Sequence, residues 1–183
     1  MNKKSVEESE VTITELMIPA YANFGGKVHG GILLSLMDKV AYVCASKYAG
    51  AYCVTVAVEG VEFLTPVEVG ELVSLKASVN YVGRTTMIVG IRVESLHPQS
   101  GVLKHTNSCY FTMAAKDEQG QLREVPTLQL SNETQLRRFC EGKAIRTLSL
   151  QKREYLKANL EGIDMQERMA MAIGERVEIT FSS

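Results

Sequence analysis

The chain has 183 residues, 45% of them hydrophobic, enough for one compact domain that buries roughly 70% of the surface its unfolded form would expose. Twenty Lys and Arg against 21 Asp and Glu leave a formal net charge of -1, which excludes the basic face that binding a nucleic-acid backbone requires. An anionic ligand must therefore be met by a local cluster of charge and not by the field of the whole protein.

The polar segment 1–10 lacks the apolar stretch of a secretory signal, so a cytoplasmic location is expected. The most apolar segment, residues 28–49, is interrupted by Ser35, Asp38, Lys39, Ser46 and Lys47 and is too polar for a membrane span. Cys44, Cys53, Cys109 and Cys140 form no Cys-x-x-Cys pair and read as buried free thiols of a reducing compartment. His29, His97 and His105 show no metal-ligand spacing, and no metal is expected.

In chain order, residues 1–9 read as a flexible lead. Val11, Ile13 and Leu16 alternate with polar residues as a first strand that Pro19 closes. After a loop of small residues and the pair Gly30-Gly31, residues 32–48 contain no Pro or Gly, which predicts one long helix of roughly 20 residues and about 30 Å. The helix is apolar nearly all round, with a polar line only at Ser35, Lys39, Tyr42 and Ser46, and so must be wrapped by other structure.

Four runs rich in β-branched and aromatic residues follow, at 52–64, 71–82, 85–97 and 102–116, separated by short Gly- and Pro-containing links that favour antiparallel neighbours. One long helix followed by a strand meander is an α+β layout in which a curled antiparallel sheet encloses the helix; a helix lying flat on an open sheet is the alternative. Beyond a turn at 117–120, two mostly polar helical stretches are expected at about 133–141 and 148–160, and residues 176–181 alternate as a final strand. The division is thus a domain at 10–130 and a helical extension at 131–183, packed on that domain or on a partner subunit.

Asp38 is the most informative position, because it sits mid-helix among Leu, Met, Val, Ala and Cys, where a carboxylate loses solvation unless it finds donors. A general base or a nucleophile held in a dry site is the functional reading. Gly30 and Gly31 at the helix start leave backbone N–H groups that have no intrahelical partner at the positive end of the dipole, where a developing oxyanion is stabilised. The Asn23 amide could polarise a carbonyl or hold a water. The strand-to-strand turn Gly83-Arg84-Thr85-Thr86 offers a guanidinium, two hydroxyls and backbone amides, which suits a phosphate.

Taken together, residues 23–31 (Asn-Phe-Gly-Gly-Lys-Val-His-Gly-Gly), Leu36-Met37-Asp38, Gly70-Glu71, Val82-Gly83-Arg84-Thr85-Thr86 and Val125-Pro126 resemble the acyl-CoA thioesterase branch of the hotdog superfamily. The resemblance implies a hotdog fold, in which a curved antiparallel sheet wraps one long central helix, here with a helical C-terminal tail. It also implies pairing into a homodimer, commonly assembled as a trimer of dimers. Asn23 and Asp38 occupy the positions of the catalytic pair, and Gly83-Arg84-Thr85-Thr86 that of the turn touching the nucleotide end of coenzyme A, which is substrate and product and not a cofactor. Many relatives carry an acidic residue two positions before the Asn, where this chain has Tyr21.

Gly31 and Asp38 are seven residues apart, so they share a helix face but lie about 10.5 Å apart along the axis. Reacting groups must approach to about 3 to 3.5 Å. A composite site is therefore expected, with Asn23 and Gly31 from one chain, Asp38 from another, and Gly30, Arg84, Thr85 and Thr86 binding the CoA portion of the substrate. Hydrolysis by a water that Asp38 deprotonates and hydrolysis through an Asp38 anhydride both remain open. Two rival functions also remain, namely acyl-CoA hydration or dehydration on the same fold using His29, and a non-catalytic acyl-CoA sensor.

Overall fold

A computed structural model describes residues 2–181. The chain divides into two compact units, residues 1–146 and 147–183.

The first unit is built on one long helix, α1 (Gly30–Ala49). It begins at His29, whose side chain accepts from the Gly31 N–H, and ends at Gly50 in the left-handed conformation, φ 60°, with the Gly50 N–H on the Ser46 carbonyl. Strands β2 (Val11–Leu16), β3 (Tyr52–Phe63), β4 (Leu72–Val82), β5 (Thr86–Leu96) and β6 (Leu103–Lys116) form an antiparallel sheet in the order β2-β4-β5-β6-β3. Alternate residues of the central strands, such as Val73, Leu75, Met87, Val89, Phe111 and Met113, are fully buried. They meet Leu33, Leu36, Met37, Val40, Ala41, Cys44 and Tyr48 on one side of α1, in the hotdog arrangement. Among the thiols, burial pushes Cys44 and Cys109 up to about 12, so both stay neutral, and Cys140 is exposed, contrary to the expectation of four buried cysteines.

The wrapping is one-sided. Leu34, Ser35, Asp38, Lys39, Tyr42 and Val43 form an exposed stripe along α1, so the polar line expected from the sequence is broader, gaining Asp38 and the apolar Leu34 and Val43. Strand β3 lies at the sheet edge next to that stripe and exposes Tyr52, Val56, Val58 and Phe63.

Several boundaries differ from the sequence reading. Residues 3–9 are not a bare lead. They form β1 (Lys3–Ser5), which pairs in parallel with β7 (Thr127–Gln129), and a single 3-10 turn (Glu7–Ser9). In β2 the inward residues are Val11, Ile13 and Glu15, leaving Leu16 half-exposed. The two expected tail helices are one, α2 (Glu133–Leu160), because Gly142 serves a close approach instead of a break: a Cβ there would lie 3.0 Å from the Tyr81 Cβ. In the second unit α3 (Met165–Ala172) starts with a reciprocal cap, Glu167 N–H on Asp164 Oδ1 (2.9 Å) and Asp164 N–H on Glu167 Oε2 (3.1 Å). Residues 176–181 form no strand, because alternation without a neighbouring edge leaves the backbone unpaired.

Candidate functional site

The sequence-predicted residues fall into three clefts of the first unit. Asp38 and Thr55 define the first, a cavity of about 350 Å³ between α1 and the start of β3. Thr55 Oγ1 donates to Asp38 Oδ1 at 2.6 Å, tying the helix carboxylate to the edge strand. Tyr42 and Tyr52 meet edge to face beside it, ring centroids 6.1 Å apart, with Lys39 also in the lining. In the single chain Asp38 is exposed, which corrects the expectation of a dry carboxylate: it lies on the one stripe of α1 that the sheet leaves bare.

Asn23 lies in a second cleft of about 340 Å³ with Lys27, Gly30, Leu33 and Phe63. Its carbonyl oxygen accepts from the Gly25 N–H (2.8 Å) and the Lys27 N–H (3.1 Å), so the loop is wound around that oxygen. The side-chain NH₂ is the end left to a ligand. Gly26, at φ 76°, completes the turn, and Phe24 at its tip is fully exposed.

The two glycines lie close beneath neighbouring side chains. A Cβ on Gly30 would sit 3.2 Å from the Phe63 ring, and one on Gly31 would sit 2.9 Å from His29 Nδ1. The Gly31 N–H, expected as a free oxyanion donor, donates at 2.8 Å to His29 Nδ1. The imidazole thus satisfies one of the orphan donors of the helix start. A carbonyl that takes the Gly31 N–H must first displace that ring.

The third cleft, about 590 Å³, contains Gly83 and Arg84 at one side and Arg123, Glu124 and Asn2 at the other. The Gly83 N–H closes the turn on the Thr86 carbonyl (2.8 Å), and the Val125 N–H pins the Arg84 carbonyl (3.0 Å). Arg84 reaches Glu124 at 3.7 Å with both side chains largely in solvent, a loose pair that contributes little and leaves the guanidinium available. Thr85 and Thr86 are half-buried and do not line this cleft.

Two residues of these clefts carry no signal in the sequence reading. Thr55 is one β-branched residue in a β-rich run, and only the fold places it on Asp38. Arg123 brings a second cation to the Arg84 cleft through the turn at 117–120, where the Arg123 N–H bonds the Ala115 carbonyl at 2.9 Å.

A sheet wrapped around one helix, with a carboxylate and a hydroxyl in a helix–strand cleft and a basic cleft at a strand turn, defines a hotdog-type domain with a candidate hydrolytic site. The Thioesterase superfamily model matches residues 25–102. Protein VdlD of Helicobacter pylori is 42% identical over 154 residues, spanning 84% of this chain and 87% of VdlD. Among solved structures, an apo hexameric acyl-CoA thioesterase aligns with TM-score 0.81 and 31% identity, covering 85% of this chain and 99% of that one. An acyl-CoA hydrolase from Staphylococcus aureus, solved with butyryl coenzyme A and coenzyme A, aligns with TM-score 0.73 and 27% identity, covering 84% and 98%. That hydrolase has also been solved as single alanine variants of an asparagine, an aspartate and a threonine, spaced along its sequence as Asn23, Asp38 and Thr55 are here. The chain belongs to the thioesterase superfamily.

Proposed function

We propose that this protein hydrolyses acyl-CoA to a free carboxylic acid and coenzyme A, at sites shared between two copies of the chain. The observation that carries the reading is the Thr55-to-Asp38 hydrogen bond, which fixes one carboxylate oxygen and leaves the other to face the cleft. That second oxygen takes a proton from water as the water oxygen bonds the thioester carbon. The C–S bond then breaks, and the proton leaves with the CoA thiolate. The Asn23 NH₂ and the N–H groups of Gly30 and Gly31 bind the carbonyl oxygen, which displaces the His29 ring. Arg84 and Arg123 hold phosphates of CoA, supplying the local positive charge that the overall balance lacks.

Sharing between copies is supported by three features. Asn23 and Asp38 line separate clefts of one chain. The bare stripe of α1 and the apolar edge of β3, where Tyr52 is 59% and Val56 51% exposed, adjoin one another, and an uncovered edge of this kind is a template for strand pairing. Phe24 is wholly exposed at its loop tip, with no partner to cover it among the described residues.

The test mixes Asn23→Ala and Asp38→Ala subunits, each inactive alone, and follows thiol release from acyl-CoA. Activity returns in the mixed dimer, because one of its two sites inherits both intact residues. Persistent inactivity in verified heterodimers would place the site within one chain, and full activity of Asp38→Ala alone would remove the hydrolase reading.

A further inference from the structure

A second polar cavity, of about 190 Å³, lies on the side of the sheet away from α1, between β4, β5 and β6 and the first half of α2. Its floor is formed by Ser78, Asn80 and Gly90, and its roof by Arg137, Arg138 and Glu141. Asn80 stands at a bulge: Val79 pairs with Val89 and Tyr81 with Ile88, so Asn80 has no cross-strand partner and is re-aimed. It is 6% exposed, and its carbonyl oxygen accepts from Ser78 Oγ at 3.0 Å. Its NH₂ has no acceptor among the described residues, although it lies over Gly90, where a Cβ would overlap it. The nitrogen keeps contact with the cavity, so a water or a ligand there can take its protons.

The charges around the cavity point to the occupant. The Arg92 Nε–H donates to Glu94 Oε1 at 2.7 Å, and Arg137 is paired with Glu141, which also accepts from the Tyr110 hydroxyl at 3.3 Å. Arg138 is half-buried, lines the cavity and has no carboxylate partner among the described residues. The site therefore offers one surplus positive charge, an amide donor facing the cavity and little beyond Glu141 that would repel an anion.

We propose that this cavity binds a small tetrahedral oxyanion of the phosphate or sulfate type, held between Arg138 of α2 and the Asn80 amide of β4. The ion bridges helix and sheet next to the close approach at Gly142, and the site shares no residue with the three clefts described above.

The experiment is calorimetric titration of inorganic phosphate at constant ionic strength. It uses an Arg84→Ala/Arg123→Ala background, so that the other basic cleft does not contribute. Saturable binding is expected, weakened about 10-fold or more by adding Arg138→Gln or Asn80→Ala and largely kept by Arg138→Lys. Occupancy at about five times Kd should raise the Tm by about 2–4 °C, and Arg138→Gln should abolish that rise. Arg138→Gln changes a helix-surface position and keeps the test valid where Asn80→Ala misfolds. A parallel titration with glycerol 3-phosphate identifies the source: tighter binding than phosphate indicates a phosphate carried on a larger molecule, weaker binding a free ion. Absence of saturable phosphate binding, or equal affinity in Arg138→Gln, would overturn the proposal.

Discussion

Replacing Thr55 by Val removes one hydroxyl while keeping the β-branched shape that an edge strand favours. The lost interaction is the 2.6 Å bond to Asp38 Oδ1, the contact that holds the carboxylate in one orientation. A hydrogen bond to a charged group contributes about 1.5–3 kcal/mol, and each 1.36 kcal/mol is tenfold in rate, which gives a loss of roughly 10- to 150-fold in kcat. Position within that range reports the surroundings. In the single chain both groups are exposed, where solvent competition favours the lower figure; covering of the α1 stripe by a second copy moves the loss toward the upper one. The assay is thiol release at saturating acyl-CoA for wild type, Thr55→Val and Thr55→Ser, with circular dichroism to confirm the fold. Thr55→Ser restores the hydroxyl and should recover most of the rate. A Thr55→Val enzyme within twofold of wild type, or a Thr55→Ser enzyme as poor as Thr55→Val, would refute the assignment of Thr55 as the residue that positions Asp38.

Two further outcomes follow from other parts of the molecule. Arg123→Ala should raise KM for acyl-CoA about 10-fold with kcat little changed, and should leave hydrolysis of an S-acyl pantetheine, which lacks the nucleotide phosphates, unaffected; an equal loss on both substrates would detach Arg123 from phosphate binding. Glu71 is fully buried, and although burial pushes its pKa up, hydrogen bonds from Lys104 (2.7 Å), Ser95 and the Glu68 N–H (3.1 Å) outweigh this and hold it below the usual range. Its stabilisation is therefore present above the unfolded-state value of about 4.3 and is lost as pH falls through the lowered folded-state value. Glu71→Gln should cost about 2–4 kcal/mol in urea unfolding at pH 7, since Lys104 keeps partial access to water, and the gap to wild type should close in acid; a gap that does not depend on pH would contradict this.

What could be read from the sequence depended on how local the cause was. α1 and the four long strands were legible because their period and their Gly and Pro punctuation are properties of neighbouring residues. Asp38 stood out for a related reason, as a charge where the period asks for an apolar residue. Thr55 did not, because its meaning arises only when β3 returns beside α1, 17 residues later. The strand pair β1–β7 was missed because each member is three residues long and its partner lies more than a hundred residues away. The continuity of α2 through Gly142 was not legible, since the close approach it permits is to Tyr81 and Asn80 on a distant strand.

The largest mismatch, an exposed Asp38 where a sequestered one was expected, has a physical resolution within the proposed dimer. The sequence argument rested on the apolar side chains around Asp38, and two of them, Leu34 and Val43, share its exposed stripe with Tyr42, the three being 37–42% exposed. A stripe of this composition is costly to leave in water at about 25 cal/mol per Å². The same covering that removes this cost would dehydrate Asp38 and bring a second chain's Asn23 loop, with Phe24 at its tip, against it. Stability and catalysis would then draw on one contact. A dimer-breaking change on the exposed β3 edge that lines none of the clefts, such as Val58→Lys, should abolish thiol release while leaving the monomer folded; a monomeric Val58→Lys enzyme with wild-type kcat would show that Asp38 works without a second chain.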